Sequence, residues 1–135
     1  MKSKYFKVHE LVPKKMYEKY GEKSWRYVDV RLIETIDKLK EHFNLGTMTI
    51  NNYFWNGSRE WSGIRTPDSP NYSYGSQHSF ANAFDIVFSH YSAEEVRNYI
   101  IDNPHEFQYI KGMELEVSWL HIDVRNEDKI VLFRV

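Results

Sequence analysis

No cysteine occurs among the 135 residues. That absence excludes a disulfide framework, a thiol nucleophile and a thiolate metal site, so any metal must be held by His, Asp or Glu. No apolar run approaches the length of a membrane span. Basic runs are missing too: 18 Lys and Arg stand against 19 Asp and Glu, a net charge of −1. Without a basic stripe to track a phosphate backbone, nucleic acid is not an expected partner. The opening segment, Met1 to Lys7, carries positive charge but no apolar stretch after it. It is not read as a secretory signal, and the chain is expected in the cytoplasm when made.

The length suits one domain over residues 1–135 with a single core. Aromatic residues are abundant, at 16%, with ten Tyr and four Trp. Such rings fill a core or line a groove for an extended polymer, because each offers much contact area for little lost rotamer freedom.

Val12 to Tyr20 is amphipathic and ends at Gly21, a plausible C-cap. Asp29 can cap a second helix, in which Leu32, Ile33, Ile36, Leu39 and Phe43 recur at helical spacing, with Gly46 beyond its end. Thr47 to Phe54 reads as a strand by its β-branched and aromatic content. From Asn56 to Ser76 the chain is rich in Gly, Ser, Pro, Asn and Tyr and reads as a long loop, a feature that usually serves function. A short apolar strand follows, Ala83 to Phe88. Ser92-Ala93-Glu94-Glu95 is a capping box opening a helix that stops near Asn103, before Pro104. Phe107 to Val135 reads as two or three antiparallel strands with a hairpin turn at Asn126-Glu127-Asp128. Helices early and strands late predict an α+β domain, a small antiparallel sheet flanked by helices.

Two segments carry chemistry. In Ser76-Gln77-His78-Ser79-Phe80-Ala81-Asn82-Ala83-Phe84-Asp85 an imidazole and a carboxylate sit at the end of the loop and on the next strand. In Val117-Ser118-Trp119-Leu120-His121-Ile122-Asp123-Val124 a His lies inside an apolar strand, where burial is costly unless its nitrogens have partners. Asp123 shares its face and can bond the free N–H of a ligand His. Taken singly, a His–x6–Asp pair is weak and a strand His is more often simply hydrogen-bonded. Together, His78, Asp85 and His121 make a three-ligand set with a position left open for water. His9, His42, His90 and His105 have no motif around them and read as surface or helix-end residues.

The first segment resembles the S-x-H-x-x-G-x-A-x-D signature of the D-alanyl-D-alanine metallopeptidases, with Ala81 at the Gly position. Trp119-x-His121-x-Asp123 resembles their downstream histidine strand. Phe6 to Val12, Leu32 to Phe43 and Thr49-Ile50-Asn51-Asn52 also resemble segments of the compact phage-type and bacterial members, so the likeness covers nearly the whole chain. It implies the fold shared with lysostaphin-type peptidases and hedgehog domains, with Zn2+ on His78, Asp85 and His121. Arg65, in Ser62-Gly63-Ile64-Arg65, matches the arginine placed against the scissile carbonyl, where a cation steadies the developing oxyanion. Without the resemblance it is a loop arginine in water.

The position three before the last His, where well-known members carry a Glu base, is Ser118. Ile110-Lys111-Gly112-Met113-Glu114 resembles the stretch that precedes the histidine strand in phage-type members, and favours Glu114 as base. Simple alternation puts Glu114 on the face opposite His121, so a bend is expected between them; Asp123 and Glu116 remain alternatives. The implied substrate is a peptidoglycan stem peptide, cut at a D-Ala-D-Ala or an L-Ala–D-Glu bond. The segment Tyr53 to Tyr74 is expected to wall the groove. The chain is expected to be a monomer without a wall-binding module, acting on the cell wall if phage-derived and released. The competing reading is a non-catalytic zinc-containing binding or structural module of the same fold.

Overall fold

The computed structural model describes residues 1–135. Three α-helices, α1 (Lys14–Tyr20), α2 (Val30–His42) and α3 (Ala93–Asp102), accompany five short strands: β1 (Met48–Thr49), β2 (Ala83–Phe88), β3 (Gly112–Glu114), β4 (Leu120–Asp123) and β5 (Val131–Phe133). The domain is α+β, as its sequence predicts.

The helix signals are realised atom by atom. The Asp29 carboxylate accepts from the Arg31 N–H at 2.8 Å, satisfying one orphan donor of α2. Leu32, Ile33, Ile36 and Leu39 are fully buried, each worth about 1.5–3 kcal/mol of apolar transfer. At α3 the capping box is reciprocal: Ser92 Oγ accepts from the Glu95 N–H, and the Glu95 carboxylate from the Ser92 N–H.

The strands form one mixed sheet in the order β1-β2-β4-β3-β5. β2 pairs antiparallel with β1 and β4, and β4 antiparallel with β3. β5 pairs parallel with β3. This corrects the expectation of a purely antiparallel sheet. Asn126 to Asp128 is no hairpin turn, because β4 and β5 are not neighbours and the chain crosses past β3 to reach the edge. The expected strand from Thr47 to Phe54 shrinks to Met48–Thr49. Asn51 diverts it: its side chain donates to the Val12 carbonyl and accepts from the Ser62 N–H, tying the backbone to two loops instead of a ladder.

The period of two divides the labour of the sheet. Phe84, Ile86 and Phe88 of β2, Leu120 and Ile122 of β4 and Met113 of β3 join the core with α2 and α3. Ala83, Asp85, His121, Asp123, Gly112 and Glu114 alternate with them and fall on the other face.

His9 corrects a second expectation. It is buried, stacked on Phe54 at 3.9 Å between centroids, with Tyr17 and Trp55 edge-on, and its Nδ1 has no hydrogen-bond partner. Burial pushes its pKa below the ordinary 6.5; Glu22 opposes this weakly and Lys7 adds to it. The folded ring therefore resists protonation while the unfolded chain takes a proton below that value. Its effect on stability is nil above 6.5 and grows as pH falls below it, with a slope of at most about 1.4 kcal/mol per pH unit. Urea unfolding of the metal-free chain and of His9→Phe between pH 7 and 5 should show the parent losing more stability than the variant. Parallel pH profiles would show that His9 protonates freely in the fold.

Candidate metal centre

Ser76 Oγ accepts from the His78 N–H at 3.3 Å and caps a short 3-10 turn, Gln77–Phe80, that carries the imidazole. The turn ends at Ala81, whose φ of 60° and ψ of 27° are left-handed. This explains why a Gly suits that position: Ala there carries a Cβ penalty of about 1 kcal/mol. The chain then enters β2, where Asp85 pairs with His121 of β4. Beside them Ser62 to Arg65 runs like an extra strand, with Asp85 N–H bonded to Ser62 O, Ile64 N–H to Leu11 O and Arg65 N–H to His78 O. A Cβ on Gly63 would collide with the Leu11 carbonyl, so only Gly permits this approach.

His78, Asp85 and His121 are buried, and each presents one donor atom to the other two within 4.8 Å. His78 Nε2 lies 3.2 Å and His121 Nδ1 2.9 Å from Asp85 Oδ1. Two donors of a tetrahedral metal with bonds of about 2.0–2.1 Å stand about 3.3 Å apart, close to both His–Asp85 separations. The remaining ring nitrogens fix the tautomers. His78 Nδ1 donates to the Gly63 carbonyl at 3.0 Å, and His121 Nε2 to Asp123 Oδ2 at 2.8 Å. Both acceptors lack a proton to give. Each ring thus turns its other nitrogen to the Asp85 carboxylate, where a cation between them offsets the facing lone pairs. These residues could hold a metal ion, and without one a proton takes its place.

The acid–base balance agrees. Burial alone would push the His121 pKa down, but hydrogen bonds to Asp123 and Asp85 outweigh it and hold it at about 9. Burial likewise works against the ionised form of Asp85, yet its bonds to His121 and His78 keep it well below the carboxylate range. Asp123 is held down to about 2, with Arg125 and then His121 overcoming its burial. A metal entering the site must displace the imidazolium proton of His121.

No family profile, no curated protein and no solved structure matches the chain. What the site can do is read from its own atoms.

The trio lies in a cleft of about 940 Å³ that Arg65, Glu114, Trp119 and Arg125 also line. Arg65 is held by Trp61 O at its Nε and by Asp85 Oδ2 at its Nη2. Burial lowers its pKa, while Asp85 and Glu114 raise it. Glu114 is not on the far face. Glu114 and His121 belong to different strands, so parity along the chain does not set their relative face. β3 and β4 pair at Gly112 and Asp123. Two residues further along each antiparallel strand, Glu114 comes opposite His121. Asp85, His121, Glu114 and Phe133 therefore form one row across the sheet. Asp123 is fully buried with both oxygens engaged, by His121 and by Arg125 Nε and Nη2. Glu116 has a φ of 63°, is exposed and pairs with Arg134, away from the trio's cleft. The loop from Tyr53 to Tyr74 reaches the cleft through Arg65, Asn71 and Ser73. Its tyrosines do not: Tyr53 bonds Val12 O, and Tyr72 and Tyr74 are exposed.

Two supporting arginines escaped the sequence reading. Arg125 grips Asp123 and stacks over Phe133; its signal was its place two residues after Asp123 on an alternating strand. Buried Arg97 of α3 donates to the carbonyls of Val117 and Trp119 and fixes the loop before His121. Nothing local marked it.

Gly112 gives a direct test of the support. A Cβ there would run into both oxygens of Asp123. Gly112→Ala should displace that carboxylate from His121 and weaken metal affinity by roughly 10–100-fold. Competition against a chromophoric chelator measures this; unchanged affinity would mean that Asp123 does not orient the ligand.

Proposed function

We propose that this chain is a zinc-dependent peptidase of the D-alanyl-D-alanine metallopeptidase type, with the hedgehog-like fold of that group, that hydrolyses an amide bond of a peptidoglycan stem peptide. The observation that carries the reading is the convergence of the two signature-like segments into one donor set beside Glu114 and Arg65. Two imidazoles and a carboxylate without thiolates suit zinc, and three protein ligands leave a coordination position open.

Bound zinc would polarise the amide carbonyl and make a water acidic near neutral pH. The chain supplies the rest. Glu114 accepts a proton from the attacking water and delivers it to the leaving amine. Arg65 faces the oxygen that gains negative charge, held in place by Asp85 and the Trp61 carbonyl. Asp123 and Arg125 keep His121 in its ligating tautomer.

Incubation of the zinc-loaded chain with purified muropeptides, with and without chelator, tests the reading. Chelator-sensitive release of stem-peptide fragments, identified by mass, is expected. Retained zinc with no hydrolysis would leave a non-catalytic zinc module of this fold.

A further inference from the structure

The cleft continues past the trio into a second, shallower lobe of about 330 Å³, and the two lobes share Arg65, Asn71, Asp85 and Trp119. Arg59 and Glu60 add charge to the wall of the second lobe. Its charged groups are satisfied within the protein, with one exception. Arg65 pairs with Asp85 at 3.2 Å, and Glu60 Oε1 accepts from the Lys14 N–H at 3.2 Å. Arg59 pairs with no carboxylate. Its Nε donates to the Ile50 carbonyl at 3.3 Å, and neither Nη1 nor Nη2 has a hydrogen-bond partner.

The chain holds this side chain in place before any ligand arrives. Asn52 closes the loop that ends at Arg59. Its Oδ1 accepts from the Arg59 N–H at 2.8 Å, and its own N–H donates to the Arg59 carbonyl at 2.9 Å. The loop packs so closely on Asn52 that a Cβ on Gly57 would collide with the Asn52 side chain. Arg59 is half-buried with its Nε tied, so its guanidinium loses little freedom when the two Nη groups bind. A planar fork with two free nitrogens fits a carboxylate in bidentate fashion, and a carboxylate is the anion that a peptide carries.

We propose that Arg59 anchors the substrate by a carboxylate, so that the protein selects acidic stem peptides over the same peptides with that carboxylate amidated. The proposal rests on the peptidase reading above. The second lobe joins Arg59 to Arg65 and Asp85. A peptide lying in it can set its scissile carbonyl at Arg65 while a carboxylate meets Arg59. An amide in that place offers the fork one oxygen and no charge. A stem pentapeptide with Lys as its third residue carries two carboxylates, the α-carboxylate of its γ-linked D-Glu and the one at its C-terminus. Both present the same chemistry to the guanidinium.

The test uses the zinc-loaded full chain, its Arg59→Ala and Arg59→Lys variants, and three forms of that peptide: the diacid, the D-Glu α-amide and the C-terminal amide. kcat and KM are measured for each pair, with affinity by calorimetry where no cleavage occurs. On the diacid, Arg59→Ala should raise KM by about tenfold or more and move kcat by less than about threefold, since the anchor binds ground and transition states alike. Arg59→Lys should recover part of the loss, as a point charge without the fork. With the parent chain, one of the two amides should lose about tenfold in kcat/KM, and Arg59→Ala should take nothing further from it. That amide identifies the carboxylate that Arg59 holds. Equal KM for the parent and Arg59→Ala on the diacid would overturn the proposal and leave the peptidase reading intact. The same follows if neither amide differs from the diacid, or if Arg59→Ala costs all three peptides equally, which would make Arg59 a support of its loop. Arg59-dependent binding without hydrolysis would overturn the peptidase reading alone. A zinc-loaded chain that neither binds nor cleaves the diacid would overturn both.

Discussion

His78→Ala and His121→Ala are each expected to lose the metal. About 10 kcal/mol or more of apparent zinc binding shared among three ligands is about 3 kcal/mol each, so one deletion should weaken binding by at least ~10²-fold. The two variants should differ in the fold they leave behind. His78 makes one hydrogen bond to the Gly63 carbonyl besides facing Asp85, so its removal leaves little unpaired. His121 stands between two buried carboxylates, Asp85 and Asp123. Deleting it leaves Asp85 facing only His78 and Arg65, and Asp123 only Arg125. His121→Ala should therefore melt earlier than His78→Ala even without metal, by the penalty of poorly compensated buried charge. Metal analysis after dialysis, together with thermal unfolding in chelator, separates lost ligation from lost structure. Added zinc should raise the melting temperature of the parent and of neither variant. Full zinc retention in both variants would place the metal elsewhere.

Two of the trio were legible because they break a strong pattern, whereas His78, in a polar turn, was found only through its spacing to Asp85. Ala83 to Phe88 and Leu120 to Val124 are apolar runs, and Asp85 and His121 stand out within them. Once β2 and β4 pair antiparallel, those exceptions meet on one face. The helices were legible for the same reason, since their caps and periodic apolar positions lie within one turn of each other. What failed was non-local. β3 and β5 are three residues each, too short for alternation to declare a partner, and β5 reaches its parallel place by a crossing that no turn residue announces. Alternation opposed Glu114 only because parity along the chain says nothing about register between strands, and the turn between β3 and β4 supplies the expected bend. His9 looked like a surface histidine because Phe54 and Trp55, which cover it, are more than forty positions away.

The last expected result separates the base from the ligand support. Glu114→Gln should retain zinc and lose turnover by roughly 10²–10⁴-fold, because an amide cannot take a proton from water. Asp123→Asn should instead bind zinc roughly 10–100-fold more weakly and recover activity when metal is added. The geometry supports this division. Both oxygens of Asp123 are occupied, and its pKa near 2 makes it a poor proton acceptor. An asparagine there keeps one acceptor oxygen. Its amide must then turn N–H groups towards either the His121 N–H or the Arg125 guanidinium, so one contact becomes repulsive. Glu114 lines the cleft in the same row as Asp85 and His121, only partly buried and without a competing hydrogen bond. It is the carboxylate free to meet a water at the open position. Measuring kcat and zinc content of both variants, with and without added zinc, decides between the roles. A zinc-replete but inactive Asp123→Asn beside an active Glu114→Gln would move the base to Asp123. Full activity in both would rule out Glu114 as the base and Asp123 as an essential support.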